Sequence, residues 1–118
     1  MLLRLAYALL LVPLFAFAPL MAAVVAQADE TELTEAYLND PANIELGHEL
    51  FRQQCAKCHG RGAYPGKAPK LNAKKLSAED IYLRVTYGFR RMPPWEDVFT
   101  DEQRMAVTAY MKSPRFSN

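Results

Sequence analysis

Apolar and polar positions divide the chain into a long apolar segment and a remainder of soluble character. No charged residue occurs from Leu5 to Ala26, whereas the sequence from Ala28 onwards mixes apolar and charged positions. Ala26-Gln27-Ala28 fits the small-residue cleavage pattern of a secretory signal, so residues 1–28 are predicted to be a signal peptide. The 22 uncharged residues could also span a bilayer, and an uncleaved anchor is the alternative. In both cases the remaining 90 residues are expected outside the cytoplasm, in the periplasm.

The remaining chain begins with an acidic segment and then a strong helix start. Residues 29–40 contain acids and no base, and they are predicted to form an acidic N-terminal tail. Asp40 is a good capping residue and Pro41 suits the first helical position. A helix is therefore predicted from Pro41 to the Cys55 region.

Two capping boxes mark the starts of further helices. Ser77 begins a helix that is stopped by Gly88, and Thr100 begins a helix that ends before Pro114. A short helix after Leu71 has weaker local support. No convincing alternation typical of a strand is visible, so the predicted fold class is all-α, with three to four helices and long loops.

The two cysteines lie in Cys55-Ala56-Lys57-Cys58-His59, a motif that is compatible with four kinds of site. A disulfide suits an exported protein, but it would close a very small loop and leave the histidine without a role. A thioredoxin-like redox pair expects neighbouring strands. A zinc site would need His48 as its fourth ligand, and the adjacent Cys58 and His59 are awkwardly placed to bind one ion together. The fourth possibility is attachment of a c-type haem, whose signature is C-x-x-C-H.

Haem attachment would use every invariant position of that signature. Thiols one helical turn apart at Cys55 and Cys58 would each bond to a vinyl group of the porphyrin, and His59 would bind the iron. A domain of 90 residues buries only a limited core, which one covalently bound haem c would enlarge. We therefore favour the haem and expect the protein without it to be largely unfolded.

Several further motifs follow the cysteines in a fixed order. A-P-K-L occupies residues 68–71, M-P-P-W occupies residues 92–95, and the last helix ends in A-Y at residues 109–110. In this order the chain resembles the class I cytochrome c family, above all its small monohaem bacterial members. The resemblance implies a cytochrome c fold for residues 41–118, with three to four helices wrapped around one covalently attached haem.

The resemblance also implies two haem contacts in the loop after the cysteines. Pro69 corresponds to a proline whose carbonyl accepts a hydrogen bond from the iron-binding imidazole. Leu71 corresponds to an apolar residue packed on the haem face. Where the family usually has glycine before this proline, the present chain has Ala68.

Contacts between the first and last helices are implied in the same way. Gly47 and Phe51 correspond to a first-helix pair that meets the last helix, with Tyr110 as the expected partner. For Trp95, contact with the haem edge or a propionate and ordinary core packing are equally open.

A second axial ligand decides whether the iron site is closed or open. Met92 precedes Pro93-Pro94, and proline restricts the residue before it to an extended conformation that presents the thioether inward. Met-Pro at this position also matches the distal loop of the family. The other candidates are Met105 and Met111, which suit core or surface positions of the last helix, and His48, which lies in the helix before the cysteines. We predict Met92 as the ligand, and a His/Met pair is typical of low-spin electron transfer at a raised potential.

Charge is balanced in total but polarised along the chain. The 14 bases and 13 acids give a formal charge of +1, so strong positive charge gives no reason to expect nucleic-acid binding. Residues 29–49 contain seven acids and no lysine or arginine, whereas residues 50–91 contain ten bases and two acids. This basic segment predicts docking to an acidic redox partner, such as an oxidase, a reaction centre or an exported dehydrogenase.

These features predict a periplasmic electron carrier rather than an enzyme. The chain is expected to be a monomer that shuttles single electrons between redox proteins through a haem c held by His59 and Met92. A membrane would be contacted only if residues 1–28 are retained. One alternative is an open-site haem protein, peroxidase-like or ligand-sensing. The other is a membrane-anchored haem subunit of a larger oxidoreductase complex.

Overall fold

A computed structural model describes residues 32–62 and 65–116 of the chain. The helical elements, in chain order, are α1 (Glu35–Leu38), α2 (Pro41–Leu50), a π-helical turn (Phe51–Cys55), α3 (Ala56–His59), a 3₁₀ turn (Ala73–Lys75), α4 (Ala78–Tyr87) and α5 (Asp101–Lys112). The described residues contain no strand, only an isolated bridge between Phe89 and Met92. The all-α fold class is therefore confirmed.

The described ranges contain no candidate membrane span. None of their helices combines the length and the apolar character needed to cross a bilayer. The signal peptide or anchor predicted at residues 1–28 lies outside the described residues.

The three longest helices begin where the sequence predicts, because side chains satisfy their first N–H groups. A carboxylate oxygen of Asp40 accepts hydrogen bonds from the N–H groups of Ala42 and Asn43 at the start of α2. Ser77 and Thr100 form reciprocal capping boxes at the starts of α4 and α5. The predicted helix starts are confirmed.

The helix predicted from Pro41 to the Cys55 region is present but contains a π-helical turn. α2 ends at Leu50, and the π-helical turn connects it to α3. The N–H of Ala56 donates to the carbonyl of Phe51, one residue further back than in an α-helix. The weakly supported helix after Leu71 is a single 3₁₀ turn, Ala73–Lys75.

The core lies where α2 crosses α5. Gly47 permits the close approach, since a Cβ there would lie 1.9 Å from the carbonyl oxygen of Ala106. The rings of Phe51 and Tyr110 have centroids 5.5 Å apart, and Phe116 meets them edge-on at 5.3 and 5.4 Å. The predicted contact of Gly47 and Phe51 with the last helix at Tyr110 is confirmed. The buried residues that pack together here, called the core cluster below, are Leu50, Phe51, Ala73, Ile81, Val85, Phe99, Val107, Tyr110, Met111 and Phe116.

Part of the acidic tail is ordered against α5. Leu38 is buried, and the hydroxyl of Tyr37 donates to the carbonyl of Glu102 at 3.2 Å. α1 was not predicted, although Thr34 caps it by accepting a hydrogen bond from the N–H of Tyr37 at 3.1 Å. The contact with α5 joins residues 65 positions apart and has no local signal.

Candidate functional site

The motif Cys55–His59 covers the end of the π-helical turn and the whole of α3. Cys55 is partly buried and packs against the core cluster, whereas Cys58 is exposed, and both are free thiols. Burial raises the pKa of the Cys55 thiol to about 11, so this group is uncharged at neutral pH. A thioether is uncharged as well, so bonding of Cys55 to a porphyrin is compatible with its position.

The described residues do not assemble the competing sites. Neither cysteine is in a disulfide. No group of three or more His, Cys, Asp or Glu side chains within 32–62 and 65–116 lies close enough together to hold a metal ion, so the zinc set with His48 is not formed. The Nδ1 atom of His48 instead lies 3.6 Å from a carboxylate oxygen of Glu45 and 3.3 Å from the guanidinium group of Arg115.

Residues 65–76, which we call the proximal loop, fold back onto the cysteine motif. The N–H of Ala68 donates to the carbonyl of Cys58 at 2.9 Å. Gly66 lies so close that a Cβ would be 2.2 Å from the same oxygen and 2.7 Å from the carbonyl carbon of His59. Sequence reasoning missed this role of Gly66. A Pro-Gly pair marks a turn but does not reveal which backbone the turn approaches.

The far end of the proximal loop is tied to α5. The ammonium group of Lys112 donates to the carbonyl of Leu76 at 2.8 Å, and sequence reasoning gave no role to this lysine. Leu71 is partly buried and packs against the core cluster, whereas Pro69 is exposed. The loop that carries Pro69 and Leu71 is therefore fixed at both ends by contacts with helices.

The imidazole of His59 is partly buried, and its Nδ1 atom is fully buried without a hydrogen-bond partner. Burial lowers the pKa of His59, and the nearby carbonyl of Pro69 opposes that shift without reaching hydrogen-bond geometry at Nδ1. The neutral imidazole, which burial favours, is the form that binds a metal. Leaving a buried nitrogen unpaired costs about 1–3 kcal/mol. An imidazole with one nitrogen on iron and the other donating to Pro69 would remove that cost, so this residue fits a haem ligand.

Met92 is fixed by a tight turn at the start of residues 88–99, which we call the distal loop. Phe89 and Met92 exchange both of their backbone hydrogen bonds, at 3.1 and 2.9 Å. Gly88 has φ 79°, and a Cβ there would lie 2.6 Å from the carbonyl oxygen of Met92, so the turn requires glycine. The side chain of Met92 is partly buried and packs against the same core cluster as Cys55.

The other candidates in the second half of the chain have structural positions. Met105 and Met111 are buried in α5, as expected for core residues. Trp95 is anchored to the last turn of α4 by hydrogen bonds of 3.1 Å from its N–H, and its ring stacks on Phe99 at a centroid distance of 5.2 Å. These contacts favour core packing for Trp95.

Cys55, Leu71 and Met92 converge on one core cluster from three different segments. Next to Cys55 are a second thiol, one turn away at Cys58, and the unpaired imidazole of His59. Two thiols and a neutral imidazole are the groups that attach and bind a c-type haem, and the thioether of Met92 lies on a fixed turn packed against the same core cluster. The residues present therefore fit haem c.

Basic residues around these loops are not neutralised by described carboxylates. The ion pairs of the described residues are Arg52–Glu49, Arg104–Asp101 and Arg115–Glu45, with His48 also beside Glu45. None of them includes a base between residues 57 and 91. This part of the surface consequently presents net positive charge.

Comparisons with known proteins agree with the site. Residues 42–111 match the family described as cytochrome c oxidase, cbb3-type, subunit III. The cbb3-type cytochrome c oxidase subunit FixP of Sinorhizobium medicae is 32% identical over 85 residues, which cover 59% of this chain and 29% of that protein. Cytochrome c6 of Bryopsis maxima is 33% identical over 78 residues, which cover 58% of this chain and 89% of that protein. The crystal structure of the c-type cytochrome SorU from Sinorhizobium meliloti matches with a TM-score of 0.51 at 32% identity, covering 61% of this chain and 90% of that one.

The matched region contains the cysteine motif, both loops and most of the last helix. The chain spans less than a third of the FixP subunit but nearly the whole of cytochrome c6. The expected cofactor, haem c, is confirmed at the level of the family. The chain belongs to the cytochrome c family, in the group described as cytochrome c oxidase, cbb3-type, subunit III, whose cofactor is a covalently bound haem c.

Proposed function

We propose that this cytochrome is a periplasmic carrier of single electrons, in which Cys55 and Cys58 bind the haem and His59 and Met92 are its axial ligands. The observation that carries the proposal is the Met92 turn. Its backbone is held by two hydrogen bonds to Phe89, and its side chain lies against the core cluster shared with Cys55. A methionine fixed in this way would bind the haem iron as the second axial ligand, with His59 as the first, and a His/Met pair is typical of electron transfer rather than of reaction at an open iron.

The surrounding residues orient and shield this site. The bound haem supplies a one-electron couple of its iron. With haem bound, the carbonyl of Pro69 would accept a hydrogen bond from Nδ1 of His59, which would fix the ring and make it a better donor to the metal. Leu71 and the core cluster exclude water, which favours a raised potential. With both axial positions filled, the chain performs no substrate chemistry of its own.

The proposed partners are redox proteins with acidic docking surfaces. The unpaired bases between residues 57 and 91 support this, because opposite charge speeds encounter. Residues 1–28 are proposed to direct export and to be removed, releasing a carrier into the periplasm.

Replacement of Met92 by alanine tests the axial ligand. We expect Met92→Ala to abolish the near-red methionine–iron band of the oxidised protein and to lower the midpoint potential on the order of 0.1 V or more. Met105→Leu and Met111→Leu are matched controls, since they remove other methionine sulfurs at nearly constant volume. An unchanged spectrum and potential in Met92→Ala would support the open-site alternative.

A second candidate is a membrane-anchored haem subunit of an oxidoreductase complex. It is favoured by the family description and by FixP, which is named as an oxidase subunit. The mass of the protein isolated from membrane and periplasmic fractions separates the two. A mature protein that begins near Asp29 in the periplasm supports the carrier, whereas a full-length protein in the membrane supports the anchored subunit.

A further inference from the structure

Two exposed aromatic side chains, the exposed Arg90 and the partly buried Arg84 cluster where α4 leads into the Met92 turn. Phe89 is 44% exposed and Tyr87 is 64% exposed. The guanidinium carbon of Arg84 lies 4.2 Å from the centroid of the Phe89 ring, and that of Arg90 lies 5.2 Å from the same centroid. We call Arg84, Tyr87, Phe89 and Arg90 the arginine–aromatic patch. Cation–π contacts hold the guanidinium groups of Arg84 and Arg90 against the one ring of Phe89.

Arg90 lies at the centre of the tight turn that the Phe89–Met92 hydrogen bonds close, and its backbone is left-handed there. Arg90 has φ 55°, and it is the one non-glycine residue with positive φ in the described ranges. Glycine or asparagine adopts this conformation more readily than arginine does. Strain of this kind is concentrated at functional sites, where another requirement outweighs the stability of the free chain.

The patch differs in composition from the rest of the basic segment. From residue 57 to residue 75 the bases are five lysines and one arginine, whereas from residue 84 to residue 91 they are three arginines. Protein interfaces are enriched in arginine and aromatic residues and depleted in lysine. None of the three arginines forms an ion pair with a carboxylate of the described residues, so their forked donors are available for bidentate bonds to carboxylates.

We propose that the arginine–aromatic patch is the docking surface for the carboxylate-rich face of a redox protein that exchanges electrons with the haem. Phe89 is bonded to Met92 through two backbone hydrogen bonds, so a partner on the patch would sit next to the proposed iron ligand. The lysines of the proximal loop would attract the partner from a distance, and the patch would provide the contact. This inference rests on the proposed function, since it places the electron path beside Met92.

The rate of electron exchange with an acidic protein tests the patch. The probe is a reduced plant-type [2Fe–2S] ferredoxin, an acidic carrier whose low potential makes encounter rather than driving force limiting. Each reaction moves one electron from its cluster to the oxidised haem iron and needs no proton. The double variant Arg84→Gln/Arg90→Gln should slow exchange about tenfold at low ionic strength, and the difference should shrink near 0.5 M salt.

Two further variants separate docking from general charge and from folding. Lys74→Gln/Lys75→Gln removes the same charge from the proximal loop and should slow exchange less than about twofold if the patch makes the contact. Arg90→Asn relieves the backbone strain while removing the charge. It should therefore slow exchange with a melting temperature that is unchanged or raised, which a merely structural role would not produce.

Equal slowing by the lysine and arginine pairs, or no slowing by the arginine pair, would overturn the proposal. Two rival occupants would also overturn it. In either case the Arg84→Gln/Arg90→Gln variant would leave electron exchange unchanged but would lose either binding to phosphatidylglycerol vesicles or a dimer seen by sedimentation. The spectrum and midpoint potential of each variant are measured alongside. A missing methionine–iron band in the unsubstituted protein refutes the proposed function, whereas a normal band with unaffected exchange rates refutes only the docking surface.

Discussion

The α2–α5 crossing and the two ligand loops are built in different ways. At the crossing, Gly47 brings the helix backbones together, and three aromatic rings pack around it at centroid distances of 5.3 to 5.5 Å. In the proximal and distal loops, aromatic packing is limited to the stack of Trp95 on Phe99 in the distal loop, among the described residues. The remaining contacts that fix them are mostly backbone hydrogen bonds, to Cys58, to the end of α4 and between Phe89 and Met92. The proximal loop lies against α3, whose His59 has an unpaired buried nitrogen.

This difference separates what stabilises the chain from what makes the site. The crossing is packed entirely by side chains and backbone of the protein. The loops place half-buried apolar side chains against the core cluster, near the unsatisfied imidazole of His59. The stability of the loops is therefore expected to depend on bound haem. Substitutions at the crossing should lower the free energy of unfolding without changing the midpoint potential of the haem iron. Substitutions in the two ligand loops should change both quantities.

Removal of the haem should produce the largest effect. The variant Cys55→Ser/Cys58→Ser, or the unsubstituted chain made in cells that cannot attach haem, should lose about half or more of its far-UV helical signal, because a domain of this size is marginal without the cofactor. Circular dichroism against the haem-containing protein measures this. A helical apoprotein that melts cooperatively would show that the α2–α5 crossing alone is enough to fold the chain. The stability of the two ligand loops would then not depend on the haem.

Gly47→Ala should give the next largest effect. A methyl group there would lie 1.9 Å from the carbonyl oxygen of Ala106, so the helices must separate, at a cost of about 3 kcal/mol. Denaturant unfolding of the haem-containing protein measures the loss, and the midpoint potential should not change. Ala42→Val, at an exposed position of the same helix, is the control and should cost less than about 0.5 kcal/mol. A changed potential in Gly47→Ala would mean that the two regions are not separable.

Gly66→Ala should lower the free energy of unfolding less than Gly47→Ala does, but it should also change the midpoint potential of the haem iron. The added methyl would lie 2.2 Å from the carbonyl oxygen of Cys58, and relief requires the proximal loop to move away, at about 1–2 kcal/mol. Because that loop carries Pro69, the hydrogen bond to His59 should weaken and the midpoint potential should shift. Potentiometry beside Gly47→Ala checks this, and equal potentials in the two variants would refute the assigned role of Gly66.

The smallest effect is expected at the surface ion pair of Glu45 and Arg115. A hydrogen bond from Arg115 holds the pKa of Glu45 below its ordinary value of 4.5. The stabilisation is therefore present above that value and is lost as the pH falls through the lowered pKa. Glu45→Gln should lower the melting temperature by less than about 3 °C at pH 7, and the difference should vanish in acid. Glu96→Gln serves as the control, and a deficit that persists at low pH would argue against the ion pair.

Local signals predicted the elements of the fold that depend on local chemistry. The caps at Asp40, Ser77 and Thr100 lie within three residues of the groups they satisfy, so the sequence is sufficient to find them. The contact between Phe51 and Tyr110 came from the family resemblance, not from spacing. Both kinds of prediction are confirmed in the structure.

What could not be predicted depends on tertiary contact. Gly66 and Lys112 act on backbone groups that the fold, not the sequence order, brings near. The π-helical turn at Phe51–Cys55 has no capping or breaking residue to announce it. The axial role of Met92 remains a prediction, since the geometry of its turn is compatible with ligation and a spectrum is needed to demonstrate it.

The most direct test is the absorption spectrum of the purified exported protein, oxidised and then reduced. If His59 and Met92 bind the iron, a low-spin c-type spectrum is expected, with the weak near-red methionine–iron band in the oxidised form. A high-spin spectrum without that band would leave the haem in place but contradict the His59/Met92 pair.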